Sequence, residues 1–97
     1  MIDFLKKCGI SSATLDEILK VNVDANIYNF SCNQDEAVKI IDFLKNIGIK
    51  EIDALLIHKI DLFFMTLDDI MLMFDKNDIN LVVKKINEDY LYIDNLL

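Results

Sequence analysis

Cys8, Cys32 and His58 are the only thiols and the only imidazole in the chain. They could in principle supply three metal ligands, or a cysteine nucleophile with its base. Their spacing speaks against both. They fall in three different segments, at none of the short intervals by which successive ligands reach a zinc ion, and no fourth Cys or His completes a tetrahedral set. A thiol beside an aliphatic stripe is inert, and His58 reads as an exposed residue near the C-terminal end of a short helix. The run Asp75-Lys76-Asn77-Asp78-Ile79-Asn80 has oxygen ligands in calcium-loop fashion. It lacks the central glycine, however, and its twelfth position is Ile86 where a bidentate glutamate is needed. An interhelix turn is the expectation there. Asp68-Asp69 and Glu88-Asp89 read as a helix N-terminal turn and a solvated face. With no nucleophile, base or phosphate loop, the expected catalytic residues, metal ligands and cofactors are none, and the chain reads as non-enzymatic.

Surplus apolar surface is the more informative feature. Ile70-Met71-Leu72-Met73-Phe74 is apolar all round a helix, and the last segment carries Leu81, Tyr92 and Leu96 off its main apolar stripe. One stripe per helix suffices for a core. Ile70 and Phe74 are expected to be enclosed. Met71, Met73, Leu81, Tyr92 and Leu96 are the candidate interface, because flexible Met and amphipathic Tyr suit adaptable contacts.

The elements that position these residues follow from a repeat. Ile2-Asp3-Phe4-Leu5-Lys6-Lys7-Cys8-Gly9-Ile10 returns 39 positions later as Ile41-Asp42-Phe43-Leu44-Lys45-Asn46-Ile47-Gly48-Ile49, with seven of the nine residues identical. Each glycine ends an apolar-periodic stretch and precedes an isoleucine, the pattern of a left-handed helix C-cap. Ser11 and Ser12 offer N-caps to a helix with Leu15, Ile18, Leu19 and Asn22 on one stripe. Ser31 with Gln34 fits a capping box for a long helix whose core face is Ala37, Ile40, Ile41, Leu44 and Ile47. A short helix with Ile52, Leu55 and Leu56 ends near Lys59. After the connector Ile60 to Met65, Thr66 and Asp69 form a second capping box, and Asn77 or Asp78 caps a last helix. That helix is expected to run unbroken, with Ile79, Val82, Ile86, Tyr90, Ile93 and Leu97 as its stripe. A third copy is weaker: Phe74, Lys76 and Asn77 follow Phe43, Lys45 and Asn46 by 31 positions, and the glycine is lost. Repeats are expected at about 2–30, 31–65 and 66–97, because a stacked array buries each unit on its neighbour.

Composition agrees with one packed domain. The 97 residues are 54% hydrophobic and 28% charged, with no proline and two glycines, both in the duplicated segment. A chain of this length buries roughly 60 to 65 per cent of its unfolded surface. Ten lysines against seventeen acids give a net charge of -7, and there is no arginine, so nucleic acid and anionic membrane are disfavoured partners. The longest apolar runs, Leu62 to Met65 and Ile70 to Phe74, are far short of the ~20 residues that cross a bilayer. Asp3 precedes the first lysine and no leader-like apolar stretch follows, so the expected location is a reducing cytoplasm with the cysteines in the core. Lysine-only basic usage with abundant Ile and Asn suggests a bacterial, AT-rich source.

The second repeat, Phe43-Leu44-Lys45-Asn46-Ile47-Gly48-Ile49 followed by Leu55-Leu56, Leu62-Phe63 and Thr66, resembles the repeat of the mitochondrial transcription termination factor (mTERF) family. The resemblance covers about two complete units and one degenerate unit. It implies triangular units of two α-helices and a 3₁₀ turn stacked into a curved solenoid. The chain departs from that family in having Ile60, and Ala25 in the first repeat, where a proline usually precedes the connector. The family's basic groove for nucleic acid also has no counterpart in the charge of this chain. The expectation is therefore an all-α helical-repeat (αα solenoid-like) domain of about six helices, acting as a protein-interaction module with a protein partner or as a homodimer. Nucleic-acid binding in an mTERF-like regulator of transcription is the alternative.

Overall fold

Six α-helices and three 3₁₀ helices make up the computed structural model, which describes residues 1–97 and contains no strand. In chain order these are η1 (Asp3–Cys8), α1 (Ser12–Val21), α2 (Asp24–Cys32), α3 (Gln34–Asn46), α4 (Ile52–His58), η2 (Ile60–Phe64), α5 (Leu67–Asp75), α6 (Ile79–Glu88) and η3 (Tyr90–Asn95). They group into three units of three elements, η1-α1-α2, α3-α4-η2 and α5-α6-η3.

Local chemistry sets most of the boundaries. Gly9 and Gly48 have φ of 83° and 99°. At each, the glycine N–H bonds back three residues and the following isoleucine N–H bonds back five, Ile10 to Leu5 O at 3.1 Å and Ile49 to Leu44 O at 3.0 Å. These are paired Schellman bonds that satisfy the last carbonyls of the preceding helix. Ile10 and Ile49 then fold into the core. N-caps come from Ser11, Thr66 and Asp78, whose side chains accept from Thr14, Asp69 and Leu81 N–H respectively.

Three expectations need correction. Ser31 does not cap the long helix: it lies inside α2, where its hydroxyl donates to Tyr28 O at 2.8 Å, and Asn33 is the N-cap residue of α3. The stretch expected as the first connector is itself α2, which turns Ile27 and Phe30 inward. The C-terminal segment is not one helix, because Asp89 takes an extended backbone and its carboxylate accepts from Leu91 N–H at 3.0 Å, starting η3.

Stacking is visible in which elements touch. Helix α3 packs between η1 and α5, α1 lies on α4, and α2 lies on η2. The first and third units thus flank the second, and the molecule measures 35 × 24 × 23 Å. Residues at repeat-equivalent positions meet across these junctions. Thr14 donates to Asp53, 39 positions on, at 3.2 Å, and the Phe43 and Phe74 rings make an edge-to-face contact with centroids 5.7 Å apart. Phe30 of the first unit likewise meets Phe63 of the second edge-on at 6.2 Å. One cluster of 25 buried side chains runs through all three units.

Asparagines tie elements together at the main chain, Asn22 and Asn87 between units and Asn33 within the second. Asn22 Nδ2 donates to Ile57 O at 2.9 Å, and Asn33 Nδ2 to Phe63 O and Met65 O at 2.8 and 3.1 Å. Asn87 Nδ2 donates to Gly48 O at 3.0 Å while its Oδ1 accepts from Lys50 N–H at 2.8 Å. Each of these bonds satisfies a polar group that helix ends and turns leave over.

Candidate functional site

The residues with chemical potential are scattered. Cys8 is buried under η1 with its thiol directed at Phe4 O, and burial pushes its pKa up. Cys32, expected in the core, is instead exposed at the end of α2. His58 is exposed and stacks on Tyr90, with ring centroids 5.3 Å apart and planes 18° from parallel. Beside that stack Lys59 pairs with Asp94 at 2.8 Å, which raises the lysine pKa and ties α4 to η3. Glu36 joins the second unit to the third: its carboxylate accepts from Leu67 N–H at 2.9 Å, at the N-terminus of α5, and pairs with Lys39 at 3.2 Å. The bond from Leu67 and then the one from Lys39 hold the Glu36 pKa below the ordinary carboxylate value. All three arrangements fasten elements together, and Glu36 and Lys39 also line an open polar hollow with Cys32, Asn33, Gln34 and Asp35.

The apolar surface is organised differently. Every large hydrophobic side chain exposed on the molecule belongs to an end unit. In the first unit these are Met1, Leu19, Val21, Val23 and Tyr28, and in the third Met71, Leu72, Leu81, Leu91 and Leu97. The middle unit contributes none, because it is covered from both sides. Each end unit has an open apolar groove. That of the third unit runs between α5 and the end of the chain, lined by Met65, Leu72, Met73, Leu96 and Leu97, with Asp69 and Lys76 on its rim. That of the first unit is lined by Met1, Leu19, Ile27 and Tyr28, with Asp24 beside them.

The five expected interface residues do not share one surface. Met73 is only 8% exposed and belongs to the core face of α5, with its remaining edge in the third-unit groove. Leu96, half-buried, lines the same groove. Met71 is 40% exposed but stands about 100° round the helix from Ile70 in the sense opposite to Asp69, so it looks away from the groove. Leu81 is exposed on α6, and half-buried Tyr92 lines a separate hollow with Leu91 and Asn95. Ile70 and Phe74 are fully enclosed. Sequence reasoning missed Leu72 and Leu97 as the exposed wall of the groove, and it missed the first-unit groove altogether. Leu19, expected on the buried stripe of α1, is 51% exposed there, because Leu15 and Ile18 already fill the contact with the core.

No helix is long and apolar enough to cross a membrane. Among family models, curated proteins and solved structures, none matches this chain.

Proposed function

We propose that this chain is a non-enzymatic helical-repeat module of the mTERF-like kind that works by protein–protein contact in a reducing cytoplasm. The observation that carries this reading is the third-unit groove. Leu72 and Leu97, 57% and 61% exposed, stand beside Met65, Met73 and Leu96 on a surface where a solvated helix would carry charge, and such patches mark contact sites. The order helix, helix, 3₁₀ turn in the second and third units supports the family resemblance, and two free cysteines suit a reducing compartment. A bacterial source is the companion reading from lysine-only basic usage.

Charge argues against the nucleic-acid alternative. Four acids oppose three lysines in residues 2–30, six oppose four in 31–65, and seven oppose three in 66–97. No unit thus carries a net positive charge to attract a phosphate backbone. The test is binding to DNA and RNA across a salt titration, run beside site-specific photocrosslinking from position 72 and, as a control, from position 39. Protein adducts from position 72 and not from 39, with no nucleic-acid complex even at low salt, are expected. A complex that weakens steeply with salt would overturn the reading, because such a slope counts released phosphate counterions.

A further inference from the structure

We propose that the third unit is a detachable strap, opening as one cooperative segment from Thr66 onward while the first two units stay folded. The inference is independent of the protein-contact reading and concerns motion within one copy. Its basis is the difference between the two junctions. Every element of the first unit lies on the second, η1 on α3, α1 on α4, and α2 on both α3 and η2. Of the third unit only α5 lies along an element of the second, on α3, while α6 and η3 pack within their own unit. They reach the second unit through a few side chains, Val83 and Asn87 at the Gly48–Lys50 turn and Tyr90 and Asp94 at His58 and Lys59.

Side chains at the two junctions differ in the same sense. Across the first, Phe30 and Phe63 are both fully buried, and buried Thr14 bonds Asp53. Across the second, Phe74 is fully buried but its partner Phe43 stays partly exposed. The Lys59–Asp94 pair and both Asn87 bonds lie open to solvent, where such contacts contribute least. The third unit, at -4 from seven acids and three lysines, faces the second at -2 from six and four, whereas the first stands at -1 from four and three. Like-charge repulsion is therefore stronger across the second junction. The backbone marks where opening stops. Met65 and Thr66 are consecutive extended residues between η2 and α5, and Asn33 Nδ2 holds Phe63 O and Met65 O on the near side. In a repeat stack the unit with the weakest interface opens first. A segment this short has too little core to stay folded alone, so undocking and unfolding are one event. Opening breaks the Glu36–Leu67 bond and uncovers the flank of α3 that carries Phe43.

Native-state hydrogen exchange of the full chain, followed amide by amide by NMR at low urea concentrations, tests this. Amides of α5 and α6 should share one protection level, about tenfold or more below the common level of α1, α3 and α4. Two variants then separate a strap from a chain that opens all at once. Asn22→Ala loosens only the first junction, which stays closed when the strap opens. It should speed exchange in α1, α3 and α4 by about fivefold and leave α5 and α6 unchanged. Thr14→Val, which removes the bond to Asp53, repeats that arm if Asn22→Ala does not fold. Asn87→Ala loosens the second junction, broken in both openings, and should speed exchange in all five helices by one factor. A single protection level throughout, or Asn22→Ala speeding α5 and α6 as well, makes the chain one cooperative unit and overturns the proposal. So does a first unit that exchanges faster than the third. Protection that falls off residue by residue towards Leu97 without urea dependence marks fraying, and overturns it too.

Discussion

Replacing Gly48 by alanine isolates the conformational reason for the helix–turn–helix join in the middle unit. The residue sits at φ +99°, and a Cβ built on it would meet Val83 Cγ1 at 3.6 Å. That is ordinary van der Waals contact, so crowding contributes nothing and the cost is all backbone. An L residue held in the left-handed region costs roughly 1–2 kcal/mol. Removing glycine's freedom from the unfolded chain returns about 0.4–1 kcal/mol. The net loss is about 1 kcal/mol, which in a domain of this size lowers Tm by about 4–8 °C. Thermal melting followed by circular dichroism reads it directly. Gly48→Asn should lose less, because Asn tolerates positive φ. Gly9→Ala should also lose less than Gly48→Ala. Its φ is +83° and the Cβ would meet only Lys45 Nζ, at van der Waals distance, but η1 is a six-residue 3₁₀ helix at the edge of the stack, where local opening already discounts its contacts. A Gly48→Ala protein that melts with the parent, or an Asn variant that loses as much as Ala, would refute the assignment of the cost to positive φ.

Leu44 is fully buried in the last turn of α3, so Leu44→Ala should cost about 2–5 kcal/mol by urea unfolding; a midpoint equal to the parent's would remove the stripe from the core. Asn87→Ala deletes both bonds to the Gly48–Lys50 turn and should cost about 1 kcal/mol, low for two bonds because the pair is solvent-exposed, with helicity unchanged. The Glu36 pKa is depressed in the folded chain, so its contribution is present above the unfolded value of about 4.3 and is lost as pH falls through the folded value. Glu36→Gln should therefore flatten the acid limb of the stability profile, and identical limbs in both proteins would contradict the cap. In thiol titration of the native protein Cys32 should react at once, whereas Cys8, buried and raised in pKa, should wait for denaturant; two fast thiols would show that η1 does not cover it.

Capping chemistry, the Ser31 box excepted, was legible in the sequence because it is decided within four residues. Ser11, Thr66 and Asp78 each accept the expected N–H, and both glycines take the expected left-handed caps. Helix α2 was illegible for the converse reason. Val23 offers no side-chain cap, and only Ile27 and Phe30 of the nine residues are buried, so neither a start signal nor a full stripe marks it. The break at Asp89 hides behind periodicity: Ile86, Tyr90 and Ile93 keep three-and-four spacing across it, and a 3₁₀ turn satisfies that rhythm as well as an α-turn does. The site was half legible. Composition located the surplus apolar helix α5, but which flank faces the groove depends on where the chain's last residues pack, a long-range contact that no local window contains.

The asparagine ties to the main chain bear on how such a chain can change over evolutionary time. Their acceptors are the main-chain oxygens of Gly48, Ile57, Phe63 and Met65, groups that every amino acid supplies. The side chain at a receiving position can therefore change without removing the acceptor, and the donors Asn22 and Asn87 are what must be inherited for these particular bonds between units to persist. The third copy has lost its glycine and most of its likeness to the first two, yet it still docks through Asn87. Internal likeness of sequence can thus be weak in the third unit while its layering on the second persists through bonds to backbone.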